Sequence, residues 1–142
     1  MQLVCPSCGT KNRMPEGRLQ DDPLCGHCGV PLMEAKPLAL DDRSFDGFIQ
    51  GTELPVLVDY WADWCAPCRT MAPQFEAAAS MLEPQVRLGK VDTEAEPALG
   101  SRFAIRSIPT MVLVHQGREV GRQSGAMGTE QIVRWARSQL PR

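Results

Sequence analysis

The chain has 142 residues, 43% of them hydrophobic and 23% charged, with a formal net charge of −2. That length allows one ordinary domain and a small appendage, and the composition excludes a disordered chain. Charge is balanced along it, three Lys/Arg against four Asp/Glu in residues 1–35 and twelve against thirteen in 36–142, so no basic surface argues for nucleic acid.

The opening MQLVCPSCGTKN has neither a basic n-region nor an apolar run, and no stretch reaches the ~20 apolar residues that a bilayer crossing needs. A soluble cytoplasmic protein with no membrane partner is expected. In that compartment six cysteines read as metal ligands or redox groups before they read as disulfides. Residues 1–32 are rich in Gly, Pro and Cys and lack a periodic apolar pattern, so they are expected to have no hydrophobic core of their own. A linker over 33–37 and a larger domain over 38–142 follow.

Within that domain, RSFDGFIQ reads as a short helix with acidic residues before it, and PVLVDYW as a buried strand whose unbroken apolar run suggests cover on both faces. CRTMAPQFEAAASML is a long helix starting at the second cysteine of its pair and kinked at Pro73, where a backbone donor is missing. Met71, Phe75 and Met81 are assigned to its core face, and Trp61 to core packing with a secondary effect on the site. QVRLGKVD is a further strand, PALGSRF a short helix, and TMVLVHQ with REVGRQS an antiparallel hairpin turning at Gly117. TEQIVRWARSQL closes as an amphipathic helix, apolar at Ile132, Val133, Trp135, Ala136 and Leu140. The order βαβ, α, ββ, α specifies an α/β fold, a central mixed sheet with helices on both faces.

The pattern C-x-x-C occurs three times. Cys5, Cys8, Cys25 and Cys28 are spaced C-x2-C-x16-C-x2-C, which suits a four-thiolate zinc site, with two disulfides or four idle thiols as the alternative. Gly9 and Gly29 follow the second cysteine of each pair, where a tight turn brings backbone N–H groups toward the thiolates. One structural Zn2+ per chain supplies the folding energy that so short a segment lacks, and His27 is left as a turn residue. Cys65 and Cys68 instead lie where a buried strand passes into a helix, three residues apart on one face. Cys65 is nearer the positive helix end, which favours its thiolate and makes it the nucleophile, and the more buried Cys68 is the resolving thiol. Asp59, in the buried strand, is expected to have a raised pKa that suits a proton acceptor near neutrality, a satisfied structural Asp being the alternative. Arg69 is either an electrostatic aid to the thiolate or a solvated charge.

The segments VLVDYWADWCAPCRTMAP, IRSIPTMVLVHQGREV and SGA resemble the thioredoxin family, the stock example of a C-x-x-C redox site, and with the N-terminal cysteine pairs they resemble its bacterial thioredoxin 2 branch. The likeness covers nearly all of 38–142. It implies the thioredoxin fold and a protein-disulfide reductase with no organic cofactor bound, a monomer, recharged by an NADPH-dependent flavoprotein thioredoxin reductase and acting on disulfide-containing substrate proteins. By the same resemblance Asp59 helps to deprotonate Cys68 with Lys90 beside it, and Pro109 is a cis-proline. Trp64, Ala66, Pro67, Ile108, Pro109, Gly125 and Ala126 form a substrate surface on which Ile108 and Pro109 offer backbone to an extended strand. Ala66 and Ser107 depart from the glycines usual in the family at these positions. Readings from other classes are a redox-sensing zinc adapter with the larger domain as scaffold, and a net oxidant or isomerase, which belongs with an export signal.

Overall fold

The computed structural model of the chain describes residues 1–140. Among these residues the central strand is β4 (Val56–Trp61), and its apolar run is long because both of its faces are covered. β4 pairs in parallel with β5 (Arg87–Asp92), which places Asp59 opposite Lys90, and antiparallel with β6 (Thr110–His115). A short strand, β3 (Leu38–Ala39), flanks β5, and β7 (Arg118–Ser124) flanks β6, giving the order β3-β5-β4-β6-β7. The two-residue β3 was not expected from sequence, being too short to leave a pattern.

Alternation along β4 sorts the core into two layers. Val56, Val58 and Tyr60 pack with Phe45, Phe48 and Ile49 of α1 (Phe45–Gly51) and Leu99 of α3 (Pro97–Arg102). Leu57 packs on the other side with Met71, Phe75 and Leu82 of α2 (Ala66–Leu82) and Ile132, Val133 and Ala136 of α4 (Thr129–Gln139). Trp135 and Leu140 lean on that second layer from α4. Helices thus cover both faces of a mixed sheet, and no helix among the described residues is long and apolar enough to cross a membrane.

Four expectations need correction. α2 begins at Ala66 rather than Cys68, because Cys65 caps it and Pro67 fits its first turn, and it continues through Pro73 to Leu82. Met81 is 47% exposed, since the inward face of α2 runs through residues 71, 75, 78, 79 and 82 and leaves 81 pointing away. Trp61 is half-buried at the end of β4 and serves as a platform for the Lys90 ammonium, 4.7 Å from the ring centre. The fourth concerns the cysteine-rich segment, which does contain a small core: Leu3, Cys5, Cys25 and Leu32 are buried together with Leu54. It was invisible as a pattern because it is gathered around sulfur atoms from separate turns.

That segment is docked on the sheet domain. β1 (Gln2–Val4) pairs antiparallel with β2 (Lys11–Arg13), and β1 lies against the end of α1. There Glu53 donates its N–H to the Gln2 carbonyl at 2.9 Å and the Gln2 amide donates to Gly51 at 3.0 Å. Gly51 is required by proximity, because a Cβ there would collide with the Val4 side chain. Arg87, at the start of β5 and only 3% exposed, donates Nη1 to the Val4 carbonyl at 2.8 Å and Nη2 to the Leu32 carbonyl, while its guanidinium covers Phe48 at 4.6 Å. A buried guanidinium is costly unless its donors are used, and here it ties both ends of the cysteine-rich segment to the sheet.

Candidate functional site

The first centre grows from the passage of β4 into α2. Cys65, in extended conformation, is the N-cap, and its Sγ accepts the Cys68 N–H at 3.3 Å. This hydrogen bond and the positive end of a 17-residue helix both favour negative charge on Cys65. Cys65 and Cys68 are joined as a disulfide, with Cα atoms 5.2 Å apart. Cys68 is the deeper, at 1% exposure against 4%, so an incoming disulfide meets Cys65 first. Arg69, next to the pair in α2, is exposed.

A second loop closes over the pair. The Ile108–Pro109 peptide bond is cis, and the Ile108 carbonyl oxygen stands 3.7 Å from Cys65 Sγ. The Pro109 carbonyl accepts the N–H of Gly125 at 2.9 Å, and Gly125 has φ +98°, a conformation that disfavours side chains. Ala126 follows it, exposed. Trp64 (67% exposed), Ala66 and Pro67 are exposed on the near side of the sulfurs. The structure therefore brings Ile108 to Cys65, which Trp64, Ala66 and Pro67 flank in sequence, while Gly125 is joined to Pro109 and Ala126 follows it. The Trp64 indole donates to Glu94 at 2.8 Å, a partner the sequence did not mark because Glu94 lies thirty residues away in the loop after β5. A groove of about 410 Å3 runs beside Trp64, between Thr93, Ile105 and Ile108.

Behind the pair, Asp59 is 2% exposed and its Oδ1 has no hydrogen-bond partner. Burial pushes its carboxyl up to about 7, with the Lys90 ammonium pulling the other way. Asp59 opens onto a cavity of about 310 Å3 lined by Lys36, Pro37, Ala72, Pro73, Phe75, Glu76 and Lys90. Ala72 lies one helical turn beyond Cys68, so the cavity runs along the side of α2 that carries the deeper sulfur.

The second centre is built by two equivalent turns. Gly9 and Gly29 have φ +77° and +81° and donate their N–H groups to the Cys5 and Cys25 carbonyls. A Cβ at either would meet nothing within 4 Å, so the glycines serve the backbone angle. The amides that approach sulfur belong to their neighbours: Ser7 and Cys8 point at Cys5 Sγ (3.4 and 3.5 Å), and His27 at Cys25 Sγ (3.4 Å). His27 supplies backbone only. The four sulfurs lie within 4.8 Å of one another, with Cys5 to Cys28 at 3.6 Å and Cys8 to Cys25 at 3.7 Å. Four thiolates about 2.3 Å from a central zinc would stand about 3.8 Å apart, so the cage fits a tetrahedral ion. Two of the thiols are also drawn in opposite directions. The Cys28 amide, with Asn12, draws the Cys25 thiol down to about 5. Against the pull of the Val30 amide, partial desolvation and the neighbouring sulfurs push the Cys28 thiol up to about 12. Four thiolates packed this closely repel one another unless a cation lies between them, and Cys5, Cys8, Cys25 and Cys28 form a metal-binding cluster.

Comparison with known proteins agrees with both centres. The family described as Thioredoxin matches residues 36–138, and the one described as Thioredoxin 2, N-terminal matches residues 4–30. Thioredoxin C-3 of Corynebacterium nephridii is 46% identical over 140 residues, covering 99% of this chain and 96% of that protein. A protein of Mycobacterium leprae called bifunctional thioredoxin reductase/thioredoxin is 38% identical over 97 residues, 68% of this chain and 21% of its own length. Among solved structures, that of a mutant thioredoxin from Halobacterium salinarum NRC-1 superposes with a TM-score of 0.68 at 26% identity, over 78% of this chain and 96% of that one.

Proposed function

The chain belongs to the thioredoxin family and carries the N-terminal ribbon of thioredoxin 2, and on that premise we propose that this dithiol–disulfide oxidoreductase reduces disulfides of cytoplasmic proteins and is re-reduced by an NADPH-dependent flavoprotein thioredoxin reductase. The observation that carries the reading is the placement of Cys65 and Cys68: a cap sulfur at a helix head, a deeper sulfur one turn in, and the Ile108 carbonyl beside them. In the reduced protein, the Cys65 thiolate attacks one sulfur of a substrate disulfide and the other leaves as a thiolate. Asp59 accepts the proton of Cys68, whose thiolate then attacks Cys65 Sγ, restoring the Cys65–Cys68 disulfide and releasing the second substrate thiol. Lys90 holds down the cost of the charge on Asp59. Two electrons from the reductase reopen the pair; the Mycobacterium leprae relative, whose name joins both activities, supports such a partner.

The substrate lies in extended form along Ile108 and Pro109, with Trp64, Ala66, Pro67, Gly125 and Ala126 as the apolar contact surface. One zinc ion is held by Cys5, Cys8, Cys25 and Cys28, where it supplies charge neutralisation and folding energy and takes no part in the exchange. The division into a zinc module over 1–32, a tether over 33–37 and a thioredoxin domain over 38–142, and a monomeric state, belong to the same proposal. A redox-sensing adapter is the second reading. It draws on the exposure of Cys8 and Cys28, whereas the intact Cys65/Cys68 pair favours the reductase. Reduction of a protein disulfide with NADPH and a thioredoxin reductase, run beside Cys65→Ser, tests the proposal: turnover by the wild type that the variant lacks supports it, and equal rates refute it.

A further inference from the structure

The Asp59 cavity is not closed by the sheet domain alone. Lys90 reaches it from β5 and Glu76 from α2, but Lys36 and Pro37 come from the tether that leads out of the cysteine cluster. The course of that tether is fixed on both sides by one strand. Before it, the Leu32 carbonyl is held by Arg87; after it, Leu38 pairs with Gly89 and the Leu40 N–H donates to the Lys90 carbonyl at 2.8 Å. Arg87, Gly89 and Lys90 are all residues of β5, so the strand that carries the cation beside Asp59 also holds the tether against the cavity. Lys36 is further oriented by Glu34, 3.5 Å away.

We propose that the tether is part of the proton-transfer site, with Lys36 a positioning residue that sets, through its charge, the pH at which Asp59 accepts the proton of Cys68. This rests on the reading of Asp59 as proton acceptor given above. The charged groups that face Asp59 across the cavity are then Lys90 from β5, Glu76 from α2 and Lys36 from the tether. The register partner on β6, Met111, carries none. Burial disfavours the carboxylate and the Lys90 ammonium favours it, while Lys36 and Glu76, of opposite sign, line the same cavity. Lys36 and Glu76 are exposed whereas Lys90 is half-buried, so the influence of the tether cation is one that salt and substitution reach easily.

The test is an NMR titration of the Asp59 carboxyl carbon in the full chain loaded with zinc, compared with the pH dependence of turnover. Lys36→Glu reverses a charge at the cavity and is expected to raise the Asp59 midpoint by about half a unit to one unit at low salt. Lys36→Arg keeps the charge and leaves the midpoint within about 0.2 units. Glu34→Gln removes an anion beside Lys36 and lowers it. A shift of the same sign in the acid limb of turnover accompanies each. The inference is overturned if the midpoint stays in place in Lys36→Glu, or in Glu34→Gln should the first variant fold poorly. A midpoint that moves while the turnover limb stays fixed supports the tether's influence and refutes Asp59 as proton acceptor, so the two readings fail separately.

Discussion

Asp59 and Lys90 stand opposite each other in the parallel register of β4 and β5, yet among the described residues no ion pair joins them. Lys90 rests over the Trp61 ring instead. A tight pair would hold the carboxylate ionised and make it a poor base near neutral pH. A cation held at a distance leaves burial dominant and keeps Asp59 titrating at about 7.

Asp59→Asn is expected to slow turnover by about tenfold or more at pH 7. The deficit should shrink as pH rises and Cys68 ionises unaided. A pH–rate series on both proteins checks this, and a deficit equal at all pH values would indicate damaged geometry.

The same substitution should stabilise the protein in a pH-dependent manner. Unfolded, the carboxyl titrates near its ordinary 3.8, and folded at about 7, so between these values the folded state holds the extra proton and loses stability as pH rises. Above pH 7 the cost reaches about 4 kcal/mol, of which Asn should relieve about 2–4 kcal/mol. Thermal unfolding of the two proteins should nearly coincide at pH 4 and separate by pH 8.

Cys65→Ser is expected to abolish turnover, and Cys68→Ser to stop after capture, leaving a mixed disulfide at Cys65. Intact-mass spectrometry of the Cys68→Ser protein after exposure to a disulfide substrate identifies the adduct. Capture by Cys68 in the Cys65→Ser protein would reverse the roles.

Chelation should release one zinc per chain and make four thiols newly reactive, leaving the Cys65–Cys68 pair and the sheet intact. Because Leu54 is shared with the core around the cysteines, loss of the ion should also lower the unfolding temperature of the remainder. Metal release followed with a colorimetric indicator, beside thiol counting and circular dichroism, decides the matter.

Arg87→Ala leaves the Val4 and Leu32 carbonyls without their buried donor and should cost about 2–4 kcal/mol. Arg87→Lys should recover little of it, since one ammonium lacks the fork that reaches both carbonyls. Limited proteolysis should then cut first within residues 1–36, and an unchanged cleavage pattern would show the clamp to be dispensable.

The sequence revealed the sheet and both cysteine centres because their signals are local: VLVDYW is apolar without a break, and each C-x-x-C fixes two sulfurs within one turn. What it concealed depends on contacts between distant segments. Arg87 showed only as a charge inside QVRLGKVD, with nothing to say that its partners were residues 4 and 32. Trp64 and Glu94 meet because β4 and β5 end side by side. Met81 was misplaced by counting apolar residues along α2 without fixing which of its faces points inward. The core of the first 33 residues left no periodicity, because its members are brought together by sulfur turns rather than by a helix or a long strand.

The close approach of Val4 to residue 51 bears on how freely the N-terminal ribbon can be transplanted. A side chain at that position would collide with Val4 unless one of the two segments shifted, whatever the quality of the cysteine cage. Fusing residues 1–37 to a foreign domain should give a tethered but undocked appendage unless Gly51, Leu54 and Arg87 travel with it.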